Sequence, residues 1–129
     1  MKHSNIKAIT LIALILALIN FKTSYSQEVH FFDFNSLIIH NEKTGKQTFD
    51  KVHNRIEINF EGRNEFVKIH FLPIGEILYF DIVDAEVKEN DMVILYFSGG
   101  SVLIVDTQEE IISFVDKLTN KILIFANVH

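Results

Sequence analysis

The chain has 129 residues, with 12 Lys and Arg against 17 Asp and Glu, one Pro and no Cys. That length allows one domain, the absence of cysteine excludes disulfide scaffolds, thiol catalysis and Cys-based metal sites, and the acidic balance argues against phosphate-driven nucleic-acid binding. The average conceals a division at Ser26: residues 1–26 carry three Lys and no acid, so the other 103 residues hold nine basic and 17 acidic groups, a net −8.

The first 26 residues fall into three parts. Lys2 and Lys7 come first, residues 8–21 are an apolar run, and Ser24-Tyr25-Ser26 places small residues at −3 and −1 before Gln27. This is the pattern of a secretory signal peptide. Residues 1–26 are therefore expected to be a leader cleaved after Ser26, and residues 27–129 a single β-rich domain, secreted or periplasmic. The apolar run is shorter than the roughly 20 residues a spanning helix needs; retention of the leader as an anchor is the alternative, and no membrane span is expected after cleavage. Exported eukaryotic domains of this size are commonly stapled by disulfides, so a cysteine-free one fits a bacterial envelope or exterior.

Beyond Ser26 the composition favours strands: 24 Val plus Ile and 11 Phe against two Ala, Ala85 and Ala126. In chain order, strands are expected at 29–34, 37–41 and 47–51. Residues 55–60 and 66–72 then alternate as a hairpin. A loop at 62–65 pairs Phe60 with Val67, Ile58 with Ile69 and Ile56 with Phe71, leaving a polar face with Glu57 across from His70 and Asn59 across from Lys68. A long strand, bent or bulged, follows at 77–88. The second hairpin, 92–98 and 101–105, flanks Gly99-Gly100, a two-residue turn signal, and pairs Phe97 with Val102, Tyr96 with Leu103, Leu95 with Ile104 and Ile94 with Val105. Both of its faces are apolar, so both need cover.

The next segment supplies that cover. Thr107-Gln108-Glu109-Glu110 matches a capping box, and Ile111, Phe114, Val115 and Leu118 follow at helical spacing. One α-helix over 108–118 is expected on the outer face of the second hairpin, with a final strand over 121–128. The expected architecture is mainly β: an antiparallel curled sheet or small open barrel of about seven or eight strands with one covering helix. In outline it resembles a lipocalin-like calyx or a pleckstrin-homology-like open barrel. The strand after the helix departs from the latter, and no motif of either is present.

Chemistry-bearing motifs are few. There is no P-loop, dinucleotide fingerprint, nucleophile elbow or His-Glu-x-x-His. His30, His40, His53, His70 and His129 show no i,i+2 or i,i+4 spacing, and they read as scattered surface histidines rather than metal ligands. The acidic run 81–91 reads as a solvated strand and turn, because Asp84 and Glu86 share a strand face while Asp81 points the other way. Core duty accounts for the phenylalanines, with an apolar cavity as the alternative.

No catalytic residue, metal ligand or cofactor is therefore expected. The apolar terminal strand Ile122-Leu123-Ile124-Phe125 is expected to be an edge that pairs with another protein chain. The function expected is that of an exported, non-enzymatic β domain acting in protein–protein contact or envelope structure. The alternatives are a calyx for a small apolar or lipid-like ligand and a hydrolase with an unrecognised polar site.

Overall fold

The computed structural model describes residues 23–26, 29–60, 65–72 and 74–128; most of the expected leader, and most of the loop of the first expected hairpin, lie outside them. Eleven strands follow in order: β1 (Thr23–Ser26), β2 (Val29–Phe34), β3 (Ser36–Asn41), β4 (Gln47–Asp50), β5 (Asn54–Asn59), β6 (Phe66–Phe71), β7 (Glu76–Lys88), β8 (Met92–Phe97), β9 (Val102–Asp106), β10 (Ile111–Asp116) and β11 (Lys121–Ala126). They form one antiparallel open sheet in the order β1-β2-β5-β6-β7-β8-β9-β10-β11-β3-β4. Cleavage after Ser26 would remove β1 whole and leave β2 as the edge.

An eleven-stranded sheet hides a core by folding onto itself, and the fold lies in β7. Its first half pairs with β6 through Asp81, its second half pairs with β8 from Ile82, and the register shifts between Ile82 and Asp84. The extra residue at Val83 reverses the alternation. Leu78, Phe80 and Ile82 turn inward before it and Ala85 after it, while Val83 stands outside at 48% exposure. A bulge of this kind lets one strand belong to two layers. The first layer is β1, β2, β5, β6 and the start of β7; the second is the end of β7, β8 to β11, β3 and β4.

Between the layers lies a core of aliphatic side chains and phenylalanine rings. Phe80 meets Phe114 at 4.7 Å and Phe97 at 5.0 Å, and Phe125 meets both Phe34 and Phe71 at 6.3 Å between centroids. Most of the rings occupy the interior, as the core reading of the phenylalanines requires, whereas Phe31, Phe49 and Phe66 face outward. The crossover from β2 to β3 is locked to the chain end: Asn35 N donates to Asn127 Oδ1, Asn35 Nδ2 to Val128 O, and Val128 N to Asn35 Oδ1.

The expected helix at 108–118 does not form. Residues 107–110 are a turn and Ile111–Asp116 is β10, paired with β9 and β11. Asp106, rather than Thr107, opens the turn, its Oδ1 accepting from the N–H groups of Gln108 and Glu109, and Glu110 closes it at φ 56°. The same device serves two other hairpins: Asn41 accepts from Lys43 and Thr44 before Gly45 at φ 75°, and Asp116 accepts from Leu118 before Asn120 at φ 58°. An Asx cap begins a helix or a four-residue hairpin loop equally well. A left-handed residue four positions later selects the hairpin, and the β-branched run that follows favours a strand.

Four further expectations are corrected. The strands outnumber the seven or eight expected. The first hairpin is shifted by two residues, pairing Ile56 with Ile69 and Ile58 with Val67 and so preserving its faces. The second is shifted by one, pairing Leu95 with Leu103 and Val93 with Val105 around a three-residue turn in which Gly99 and Gly100 both have φ 95°. A hairpin apolar on both faces leaves register to the turn. Finally, Ile122 to Phe125 is no edge: β11 lies between β10 and β3 and is hydrogen-bonded to both, because β3 returns to this layer after the Asn35 crossover.

Strand and helix make opposite demands on neighbouring residues. Ile112 is fully buried and Ile111 only partly so. Ile112→Ala is expected to cost ~2–5 kcal/mol in urea unfolding and Ile111→Ala distinctly less; the reverse order would indicate the helical face.

Candidate functional site

Four features of the described residues bear on function. On the outer face of the first layer, charged and aromatic residues alternate. Asp33 receives hydrogen bonds from Arg55 Nε at 2.8 Å and lies 3.2 Å from His53 Nε2. Glu57 Oε1 is 3.4 Å from His70 Nε2, a diagonal contact rather than the directly opposed pair the sequence predicts. The Arg55 guanidinium sits 5.7 Å from the Phe31 ring, Lys68 5.4 Å from Phe66, and Phe66 stacks on Tyr79 at 5.1 Å. Partial burial pushes the Asp33 carboxyl up. Hydrogen bonds from Arg55 and His53, together with their charges, outweigh it and hold the carboxyl below its ordinary value. Arg55 and His53 direct their contacts at one carboxylate, and the group joins β2 to β5 and the segment before it.

His30 is a second feature, and it is not a surface histidine. It points inward from β2, is 0% exposed, and meets Phe60 edge-on at 6.2 Å. Burial lowers its pKa below the usual 6.5.

A third is a cleft of ≈170 Å³ where the layers part, lined by Leu37, Asp50, Val52, Asn54, Phe71 and Ile74. Its walls are apolar. Asn54 is fully buried there; its Nδ2 donates to Val52 O at 3.2 Å, and its Oδ1 has no hydrogen-bond partner.

The fourth is the outer face of the second layer, which no helix among the described residues covers. Strand pairing places most of its outward residues in two rows, beside a third made of Lys88, Met92, Asp106 and Ile111. One runs Phe49, Ile38, Ile124, Ser113, Ile104, Ile94 and ends at Glu86; the other runs Gln47, His40, Ile122, Val115, Val102, Tyr96 and ends at Asp84. From β3 to β8 these side chains are partly exposed, and Phe49 is 52% exposed. The four residues singled out by sequence divide here. Ile122 and Ile124 belong to this face, whereas Leu123 packs against the core and Phe125 is buried within it. Ile94, Val102, Ile104, Tyr96 and Val115 go unrecognised as surface residues in the sequence, although a signal is there: a hairpin apolar on both faces. Sequence reasoning assigns its second face to a covering helix.

The acidic end of this face is internally ordered. Tyr96 Oη donates to Glu86 Oε1 at 2.5 Å, and Lys88 Nζ lies 3.1 Å from Glu86 Oε2. These hydrogen bonds, from Tyr96 first, lower the Glu86 pKa. Among the described residues no three His, Asp or Glu side chains converge to hold a metal ion. Comparison with known proteins found no matching family model, no matching curated protein and no matching solved structure.

Of the three depressed pKa values, those of His30 and Asp33 set different pH windows. The unfolded chain takes up the His30 proton near pH 6.5, whereas the folded chain resists it, so stability present above 6.5 is lost as pH falls below it. Asp33 contributes above its ordinary 3.8, and that contribution is lost only as pH falls through its lower folded value. The urea midpoint is therefore expected to fall between about pH 7.5 and 5, and to fall less steeply in His30→Leu. Equal slopes would assign the loss to other groups.

Proposed function

We propose that this is an exported, non-enzymatic β domain of bacterial type that acts through protein–protein contact, and that the contact surface is the outer face of the second layer. The observation that carries the reading is the contrast between the two outer faces. The first layer presents Asp33, Arg55, Glu57, Lys68 and His70 among its aromatics; the second presents isoleucine and valine on five adjacent strands, with charge at the ends of the two rows and at Asp106 on the strand-end margin. Contiguous apolar patches of a few hundred Å² on a protein surface mark interaction sites. Export rests on the leader pattern of residues 1–26.

Pairing along the β4 edge draws less support. β4, the edge beyond β3, has four residues and is flanked by Lys46 and Lys51, the short, charged form that discourages strand addition. The cleft beside Asn54 favours a second reading, a small apolar ligand carrying a hydrogen-bond donor for Oδ1. Its ≈170 Å³ is well below the roughly 300–1,000 Å³ of ordinary ligand pockets, which ranks it after protein contact. A hydrolase draws no support from the Asp33 group, whose members serve one another.

A photoreactive amino acid placed at Ile104 is expected to form protein adducts in the native envelope, and one placed at Lys68, on the opposite face, is not. Absence of adducts at position 104, or equal yields at both positions, would remove the contact reading.

A further inference from the structure

We infer that the occupant of this apolar face is a second copy of the same chain, packed face to face about a two-fold axis parallel to the strands. The inference rests on the contact reading above and specifies its partner.

Extent is the first argument. Six strands from β8 to β4, at about 4.8 Å spacing, and six residues at about 3.3 Å each make a face of roughly 29 by 20 Å, or about 600 Å² in projection. Side chains standing off the pleat raise the accessible area above the projection. A stable two-chain interface takes about 800 Å² from each partner, so the whole face is needed. A single helix laid across it would cover a band only about 10 Å wide. Another sheet of equal extent covers all of it, and sheets pack in this way about 10 Å apart with their strands within about 30° of each other. A second copy supplies a sheet of the same size and the same aliphatic chemistry.

Charge selects the orientation. At the β7 end of the two rows stand Asp84 and Glu86, with Lys88 beside Glu86 at 3.1 Å, leaving one net negative charge. At the β3–β4 end stand His40 and Gln47, with Lys46 adjoining. A two-fold axis parallel to the strands reverses the order of strands in the second copy, which lays each acidic end over the His40 and Lys46 end of the other. An axis across the strands would set acidic end on acidic end, a like-charge contact that disfavours association. Along the two rows the middle of the face carries only Ser113 as a polar residue among Ile124, Ile104, Val115 and Val102; Asp106, the other polar outward residue of the middle strands, lies at the strand end, where its carboxylate accepts from the Gln108 and Glu109 N–H groups, so no charge is buried at the centre.

Analytical ultracentrifugation of the protein as its host processes it, at up to about 100 µM, tests this, since a Kd near 10 µM would already give mostly dimer. A dimer is expected. Ile104→Lys should weaken it by at least ~100-fold by burying an unpaired charge, with an unchanged circular dichroism spectrum and, at a concentration dilute enough for both proteins to be monomeric, an unchanged urea midpoint, and Lys68→Glu on the far face should leave it intact. Asp84→Lys should weaken association, and Lys46→Glu combined with it should restore it. A monomeric wild type, or an Ile104→Lys variant that still dimerises, overturns the proposal. If the wild type is monomeric while position 104 forms an adduct with a different protein, the second copy falls and the contact reading stands. If neither association nor adduct is found, both fall.

Discussion

Everything in this architecture depends on β7 belonging to two layers. A sheet of this width laid flat would leave one apolar surface of every strand in water, and the hydrophobic effect requires that it close on something. The bulge between Ile82 and Asp84 provides the corner. By inserting Val83 it keeps Leu78, Phe80 and Ile82 inside on one half and Ala85 inside on the other. The aromatic contacts across the layers, Phe80 to Phe114 and Phe34 to Phe125, exist only because that corner brings the sheet back over itself. The Asn35–Asn127–Val128 hydrogen bonds then hold the layers at the crossover.

The same folding produces the molecule's sidedness. Inward positions of both layers are satisfied by one shared core, so each outward face is free to differ. The first layer's outward positions carry ion pairs and cation–π contacts typical of a solvated face. The second layer's carry Ile and Val in rows, with Asp84 and Glu86 at one margin and His40 at the other. A solvated antiparallel sheet has no need of that composition for its own stability, and this is why the face directs the functional reading. The surface is built by six strands from separate parts of the chain, none of which displays it alone.

Much of the secondary structure was legible because period-two alternation survives local ambiguity. Residues 29–34 coincide with β2, the strand ending at Lys88 is long and bulged as its mixed pattern implies, and the apolar face of the 55–72 hairpin is retained despite a two-residue shift. A two-residue shift preserves faces; the one-residue shift in the glycine hairpin does not. It went unseen because Ile, Val, Leu and Phe occupy both sides of that hairpin. The helix error has a related origin: over the six residues of β10, Ile-Ile-Ser-Phe-Val-Asp fits both periods, and Asp106 opens either a helix or a turn. Of the site, the sequence marks Ile122 and Ile124, but as part of an edge they do not form, and the remaining rows depend on pairings between strands far apart in sequence.

What the amino-acid sequence determined by itself is local: a chain rich in Val, Ile and Phe, punctuated by Gly and Asx turns, commits to antiparallel strands, and the leader pattern is likewise written in consecutive residues. Tertiary structure alone decided which strands neighbour one another, that β3 returns beside β11 and removes its edge, and that no described residue covers one apolar face. Those outcomes turn on one bulge and one crossover. The bulge shows in the sequence only as a break in the alternation of residues 77–88, which does not say where the chain goes after it, and the crossover leaves the alternation on either side unchanged, so a linear pattern carries no trace of it.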